Sequence, residues 1–167
     1  LVDGNRAREL RFSLARRLYD HGKHALSKQV AQDLLGDQPL PDQVNKLYLI
    51  VMNSAERMND RDESLQTAKK LTSWIKEQKL AREDTGRIET EEYLRHYSQK
   101  LHYEAETLKK KELWGQAERS YEIYLDTFQE DTEAGEVKFR YAVLLMHQKN
   151  HAKAWSTITA ALSLMDA

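Results

Sequence analysis

The sequence contains no cysteine, and only two of its 167 residues are proline and six are glycine. Without cysteine the chain can form no disulfide, no cysteine-ligated zinc site and no thiol nucleophile. So few prolines and glycines argue against a collagen-like chain, a linker-rich chain and a β protein with many tight turns. The compartment stays open, because a chain without cysteine suits reducing and oxidising compartments alike.

An excess of charge of one sign is also missing, since 26 Lys and Arg residues face 27 Asp and Glu residues. Nucleic-acid-binding domains carry a basic surplus or stripe, so the balance predicts no nucleic-acid partner. No apolar run approaches the roughly 18 residues of a membrane span, and no signal peptide is recognisable. Because the chain begins with Leu1 rather than Met, we expect it to be a segment or a processed form of a larger protein.

What the sequence does contain is helical spacing of apolar residues along almost its whole length. This spacing predicts eight helices, at about 5–21, 23–35, 41–58, 61–82, 88–111, 113–128, 132–148 and 151–164. Gly22 and the segment 84–86 are the clearest breaks. No stretch is typical of a strand, so we predict an all-α fold whose short joints produce antiparallel hairpins.

In the first five helices, the spacing predicts which apolar side chains face inward. They are Leu10, Leu14, Ala15 and Leu18 in the first helix, Leu26, Val30, Ala31, Leu34 and Leu35 in the second, Val44, Leu47, Tyr48, Val51, Met52 and Ala55 in the third, Leu65, Ala68, Leu71, Thr72 and Ile75 in the fourth, and Tyr93, Leu94, Tyr97, Leu101, Ala105 and Leu108 in the fifth.

Small residues recur at matching positions of the predicted helices. Ser27, Ser64, Ala117 and Ala154 lie early in the second helix of each predicted hairpin, at separations of 37, 53 and 37 residues. Twelve residues before them stand Ala15, Met52, Ala105 and Ala142. Two antiparallel helices approach closely only where both present small side chains. We therefore predict a tight crossing at these positions.

This pattern resembles the tetratricopeptide repeat family. The matching residues are clearest as Ala105-x-x-Leu108 followed by Trp114-x-x-Ala117-x-x-x-Tyr121-x-x-Tyr124, and as Ala142-x-x-Leu145 followed by His151-x-x-Ala154-x-x-x-Ile158-x-x-Ala161. The resemblance covers residues 90–165 well and 8–78 more weakly. The family period of about 34 residues and its closing proline are not kept. The alternative is an irregular helical bundle in which the small residues align by chance.

The resemblance implies one TPR-like domain over residues 1–167, an α-solenoid of about four antiparallel hairpins in a right-handed superhelix. Its units would be about 5–36, 41–82, 88–128 and 132–165. In this family the first helices of each pair line a concave groove that receives a partner peptide or helix. The residues that project onto this groove are Glu9, Phe12, Ser13, Arg16, Lys46, Leu49, Ile50, Asn53, Arg57, Gln99, His102, Tyr103, Glu106, Glu136, Phe139, Arg140 and Val143.

Aromatic and Arg side chains provide anchoring area, and amides pair with a partner's backbone, so this set suits protein recognition. The alternative is an ordinary half-exposed helix face. Some family members hold a C-terminal carboxylate through a Lys/Asn/Arg clamp. Among the equivalent positions only Asn53 matches, so we predict no such clamp.

No constellation of residues predicts an enzyme, a metal or a cofactor. His147 and His151 are four apart, as in helical zinc pairs, but a predicted turn at 149–150 separates them. The pairs Glu91-Glu92 and Glu130-Asp131 are expected near helix starts, where negative charge offsets the helix dipole. Likewise, the run 109–111 is expected at a solvated helix C-terminus, which attracts cations.

The last helix supports a second hypothesis, a structural module that packs on the rest of its own chain or forms a homodimer. The segment Trp155–Met165 is rich in apolar residues, and an exposed Trp would indicate a second interface. Trp74, Trp114 and Trp155 all fall in second helices. Finally, Tyr121-x-x-Tyr124-Leu125-x-x-Phe128 resembles repeats of bacterial envelope assembly and secretion proteins, which favours the periplasm or outer membrane over the cytoplasm.

Overall fold

In a computed structural model that describes residues 2–37 and 39–165, the protein is all helical. The helices are α1 (Val2–Asp20), α2 (His24–Gly36), α3 (Val44–Arg57), α4 (Arg61–Gln78), α5 (Thr85–Leu108), α6 (Lys111–Phe128), α7 (Ala134–His147) and α8 (His151–Met165), with a short 3₁₀ helix at Pro41–Gln43 before α3. Over these residues there is no β-strand, so the predicted all-α class is confirmed. None of the described helices is both long enough and apolar enough to cross a membrane.

The helices form two compact units. The first contains Leu1–Glu77 and Asp84–Thr90, and the second contains Gln78–Glu83 and Glu91–Ala167. In the first unit, α1, α2 and α3 pack on one another around a core that includes Ala15, Ala31, Leu34, Leu47 and Val51. In the second unit α7 packs on both α6 and α8, and its largest fully buried side chains include three aromatic ones, Tyr121, Tyr124 and Phe128.

The small residues singled out by the sequence are buried. Ser27, Ser64, Ala117, Ala154, Ala15, Ala105 and Ala142 are at most 2% exposed, as is the larger Met52. In the first unit the approach of α1 and α2 is direct, because the Ser27 hydroxyl donates a 2.8 Å hydrogen bond to the carbonyl oxygen of Ala15, twelve residues earlier. A side chain longer than serine at this point would separate the two backbones.

Three of the turns repeat one geometry. Gly22, Asn59 and Lys149 each adopt a positive φ just after α1, α3 and α7. In each turn the next backbone N–H bonds the carbonyl five residues earlier: Lys23 to Leu18, Asp60 to Ala55 and Asn150 to Leu145, at 2.8–2.9 Å. This closure is typical of a helix that ends with a left-handed residue. The accepting residues Leu18, Ala55 and Leu145 occupy equivalent positions relative to Ser27, Ser64 and Ala154.

The turn between α5 and α6 departs from that geometry. Here Lys109 takes the positive φ, so α5 ends at Leu108 and α6 already begins at Lys111. The expectation that residues 109–111 form the C-terminus of a helix was therefore wrong. The same early ending leaves Leu108 53% exposed, although it was predicted to face inward.

Three further inward predictions were wrong. Leu10, Leu14 and Leu26 are 64%, 47% and 54% exposed. The buried residues of these helices are Ala15, with the partly buried Phe12, in α1 and Ser27, Ala31 and Leu34 in α2, so only part of the predicted inward set is covered.

Two predicted helix boundaries also differ. The connection between the fourth and fifth helices is not the predicted segment 84–86. It covers residues 79–84, because α4 stops at Gln78 and α5 starts at Thr85. Asp84 accepts a hydrogen bond from the backbone N–H of Arg87 at 3.1 Å, in the manner of an N-cap. Gly86 lies within α5, where an added Cβ would meet Asn45 Cγ at 3.1 Å. A side chain at this position would therefore press on α3.

One of the two acidic pairs was placed wrongly. Glu130-Asp131 lies in the turn directly before α7, near a helix start as predicted, whereas Glu91 and Glu92 lie well inside α5. The sequence also predicts Asp131 or Thr132 as the N-cap of α7, but the residue at the start of α7 is Glu133, whose side chain makes no capping hydrogen bond.

We predict that Ala142→Leu lowers the free energy of unfolding by about 1–3 kcal/mol, because the added side chain overpacks a fully packed position of α7. Urea unfolding measures this change. As a control, Ala160→Leu adds the same atoms at an exposed position of α8 and should stay within about 0.5 kcal/mol of the unaltered chain. Equal losses in both variants would contradict the tight packing at Ala142.

Candidate functional site: two concave surfaces

The structure brings most of the predicted groove residues onto two concave surfaces, one in each unit. The first, which we call the α1–α3 surface, encloses about 300 Å³ and is lined by Phe12, Arg16, Tyr19, Lys46, Leu49, Ile50 and Asn53. All of these residues except Tyr19 were predicted. Glu9, Ser13 and Arg57 were also predicted, but they are exposed residues outside the lining.

Helical spacing explains why these side chains share one surface. Phe12, Arg16 and Tyr19 follow the i, i+4, i+7 spacing of α1, and the α3 residues 46, 49, 50 and 53 follow the same rule. Phe12 and Ile50 also pack against the core of the first unit. The floor of the α1–α3 surface is therefore anchored to the part of the unit that is most firmly packed.

The polar groups of the α1–α3 surface are mainly cationic. Arg16 and Lys46 are exposed, and neither makes a hydrogen bond or an ion pair with any residue that the structure describes. Asn53 donates a 2.8 Å hydrogen bond from Nδ2 to the carbonyl oxygen of Leu49. The Tyr19 ring lies edge-on to His24, with 5.1 Å between the ring centroids. No carboxylate is among the seven lining residues.

The second surface, the α5–α7 surface, encloses about 490 Å³. Its lining consists of Gln99, His102, Tyr103, Glu106, Tyr121, Glu136, Phe139, Arg140 and Val143. Every groove residue predicted from the fifth and seventh helices is in this list. Tyr121 was missed as a lining residue, because sequence spacing assigned it to the interior of the repeat.

Exposed aromatic rings and one fixed ion pair form the accessible part of the α5–α7 surface. Tyr103 and Phe139 are 68% and 48% exposed. Arg140 donates from Nε and Nη2 to Glu136 Oε1, at 2.8 Å and 2.7 Å. Because the two residues are one helical turn apart, α7 holds the guanidinium in place. These groups offer a partner both apolar area and a positioned set of hydrogen-bond donors.

His102 forms the buried part of the same surface. It is 8% exposed, and its Nδ1 lies 3.1 Å from the hydroxyl of Tyr121. Its Nε2 is buried without a hydrogen-bond partner among the described residues. Glu106 Oε1 lies 3.6 Å from that nitrogen and also 3.6 Å from Nε2 of His147. One carboxylate thus lies close to two imidazole rings.

The electrostatics of His102 follow from this setting. Burial lowers the pKa of His102, and the nearby His147 and Arg140 lower it further. Glu106 raises the pKa but does not outweigh the burial. The Trp114 ring contributes to this environment, since its edge contacts His102 and its face stacks on His147 at 5.3 Å. The folded protein therefore favours the neutral ring.

A network of ion pairs and ring contacts around Lys153 holds α8 to α6 and α7. Lys153 donates to Glu118 at 3.0 Å and to Glu122 at 2.6 Å, and its ammonium group lies 5.2 Å from the centre of the Tyr141 ring. Burial alone would lower the pKa of Lys153, but its hydrogen bonds to Glu122, Tyr141 and Glu118 raise it. Tyr141 stacks on Tyr121 with 5.5 Å between ring centroids, so this network supports the floor of the α5–α7 surface.

The remaining candidate residues lie apart from both surfaces or serve in packing. His147 ends α7 and His151 begins α8. In the part of the chain that the structure describes, no group of three His, Asp or Glu residues is arranged to hold a metal ion. Glu91 accepts hydrogen bonds from Tyr124 and Arg95, which is a structural contact between α5 and α6. Trp114 is partly buried, whereas Trp155 is 75% exposed.

Comparison with known proteins assigns no family to the chain. No family model matches it, and no curated protein matches its sequence. The two surfaces and the residues that form them are therefore the observations that bear on function.

We predict that the second unit loses stability as the pH falls below about 6.5, the usual pKa of histidine. The unfolded chain binds a proton at His102 more readily than the folded chain, so the free energy of unfolding decreases as acid is added. His102→Gln keeps a hydrogen-bonding side chain that does not titrate, and should weaken this pH dependence. Thermal unfolding followed between about pH 7.5 and pH 5.5 measures the difference.

The matched control is His96→Gln, which removes an exposed histidine from the same helix. This variant should keep the pH dependence of the unaltered chain. An identical pH dependence in the His102 variant and the unaltered chain would contradict the role assigned to burial.

Proposed function

We propose that the chain is a protein–protein interaction scaffold, built as an α-solenoid of TPR-like antiparallel hairpins, and that its concave surfaces receive a peptide or helix from a partner protein. The observation that carries this proposal is the lining of the two surfaces. Each combines aromatic or apolar side chains that are at least partly accessible with an arginine and with an amide, and these are the groups that anchor partners in protein interfaces.

Rigidity supports the same proposal. The lining residues stand on helices rather than on loops, and Phe12 and Ile50 are tied to a core. The α5–α7 surface is backed by Tyr121, which is fully buried. A receptor with a preformed surface loses little conformational entropy when a partner binds, so more of the contact energy appears as affinity.

The repeated turns favour the hairpin arrangement. Three turns share one hydrogen-bond closure at equivalent positions, and the small residues that would allow close crossings are buried. Ala105 and Ala117 keep the separation of twelve residues found in the other pairs, so the lengthening of the spacing from 37 to 53 residues falls between Ser64 and Ala105. These observations support a repeat of TPR type in which one unit has been altered.

We predict that Tyr103→Ala combined with Arg140→Ala weakens peptide binding at least about tenfold, a loss of about 1.4 kcal/mol. Both side chains are largely exposed, so the melting temperature should hardly change. Peptides selected from a random displayed library on the unaltered protein provide the ligand, and fluorescence anisotropy gives the dissociation constants.

The control for this double variant is Arg119→Ala with Trp155→Ala, which removes the same classes of side chain from exposed positions of α6 and α8. It should bind the selected peptides like the unaltered protein. Parallel losses of folding and binding in the Tyr103 and Arg140 variant would refute the assignment of the α5–α7 surface.

A specific observation favours a second candidate function, a structural module that self-associates through α8 or packs on the rest of its own chain. Trp155 and Leu162 are 75% and 55% exposed on this helix. The same predicted apolar segment includes Leu164 and Met165, whose side chains are not among those that the structure describes. Trp155 and Leu162 are seven residues apart and so share one face of α8, and contiguous exposed apolar patches mark interaction sites.

We predict that light scattering separates the two candidates. A scaffold whose α8 is solvated should be monomeric at micromolar concentration, and Trp155→Lys should leave its mass unchanged. A stable dimer that Trp155→Lys converts to a monomer would favour the second candidate instead, because a charge buried at an interface without a partner is strongly destabilising.

A further inference from the structure

We propose that the α1–α3 surface recognises an acidic segment of a partner protein, one in which a large apolar side chain is flanked by carboxylates. This inference rests on the scaffold function and adds the chemical class of the ligand. It begins with the charge of the surface, whose seven lining residues include two cations and no anion.

Among the described residues neither cation has an ion-pair partner, unlike Arg11 and Lys28 of the same unit. Arg11 bonds Asp37 at 2.7 Å, and Lys28 pairs with Glu63. Arg16 and Lys46 make no such pair with any residue the structure describes. A carboxylate from a ligand would therefore replace only water at these side chains, with no internal ion pair to break. Arginine in particular binds a carboxylate through two parallel hydrogen bonds.

The apolar floor of the α1–α3 surface is the reason why the ligand should carry a large apolar side chain. Phe12, Tyr19, Leu49 and Ile50 are only partly buried and leave a recess of about 300 Å³ between them. This volume lies at the lower end of ligand pockets, so it suits one large side chain better than an extended organic ligand. Filling it removes apolar area from water, which favours binding.

The same two features argue against other anionic ligands. Two cations allow about two phosphate contacts, too few for nucleic-acid binding, which depends on many. An inorganic phosphate would pair with the cations but would leave the apolar recess filled with water. An acidic peptide with one aromatic or long aliphatic residue uses both features.

The α5–α7 surface should not take the same segment. It carries Glu106 and Glu136, and its one arginine is already bound to Glu136. Like charges brought together at an interface oppose binding. The two surfaces therefore differ in charge, and a partner segment that suits one is disfavoured by the other.

The experiment uses twelve-residue peptides, fluorescein-labelled and blocked at both ends, with the full chain. The test peptide carries a central Phe between Asp and Glu residues. There are three comparison peptides. In the first, Lys replaces the acidic residues, and in the second, Ala replaces the Phe. The third has a free C-terminal carboxylate as its only acidic group. We expect the test peptide to bind most tightly and to weaken with salt, because opposite charges are screened.

Variants of the protein locate the site. Arg16→Gln and Lys46→Gln should each weaken binding of the test peptide about three- to tenfold, as expected for charge-assisted contacts in a partly exposed site. Arg17→Gln removes the neighbouring exposed cation of α1 that is outside the lining and should change nothing. Amide chemical-shift changes on titration should concentrate in α1 and α3.

Several outcomes would overturn the inference. One is equal or tighter binding of the lysine peptide, and another is equal effects of Arg16→Gln and Arg17→Gln. Equal binding of the alanine peptide, or displacement by millimolar inorganic phosphate, would show that the apolar recess is not used. If the peptide with a free C-terminus binds as tightly as the test peptide, the surface recognises a C-terminal carboxylate rather than acidic side chains.

The same data separate this inference from the scaffold proposal. If library selection yields peptides without acidic residues that bind at α1 and α3, as judged by amide chemical shifts, the scaffold function stands and the acidic preference of the α1–α3 surface fails. If no peptide of any composition binds, both fail together.

Discussion

The close approach of α1 and α2 at small buried residues is the constraint on which the α1–α3 surface depends. Ser27 and Ala15 show its physical basis, since a hydroxyl on one helix reaches the backbone carbonyl of the other. A larger residue at either position would push the backbones apart and move every side chain that α1 presents. The α1–α3 surface exists because α1 and α3 both pack against α2 and keep one face of each helix uncovered.

Much of the fold follows from local chemistry, and this part could be predicted. Apolar spacing found every helix, and the matching small residues are buried as expected because they depend only on neighbouring turns of helix. The ends of helices were less predictable. Lys79 and Lys109 adopt left-handed conformations, and lysine carries no turn signal comparable with that of glycine. Leu10 and Leu14 show another limit, because spacing reveals an apolar face but not whether a neighbour covers it.

The residues of the candidate surfaces also divide into those that could be predicted from the sequence and those that could not. The lining residues of α1, α3, α5 and α7 follow from helical register, which apolar spacing along the sequence predicts. Tyr19 and Tyr121 were missed because their part in a surface depends on how deeply each ring lies between helices, which spacing does not measure. The pair of Glu136 and Arg140 is visible as an i, i+4 spacing. In contrast, the contact of His102 with Tyr121 joins two helices and required their packing to be known.

The way in which α8 is attached has a consequence for the mobility of this part of the chain. Among its described side chains, the fully buried ones are alanines, Ala154 and Ala161, and its polar anchor is the partly exposed Lys153. Its neighbour α7 buries Val137, Tyr141, Leu144 and Leu145. Since apolar area sets the cost of local opening, we expect the described part of α8 to be less protected against hydrogen exchange than α7. A ligand or a second chain that covers Trp155 would then act by suppressing this opening.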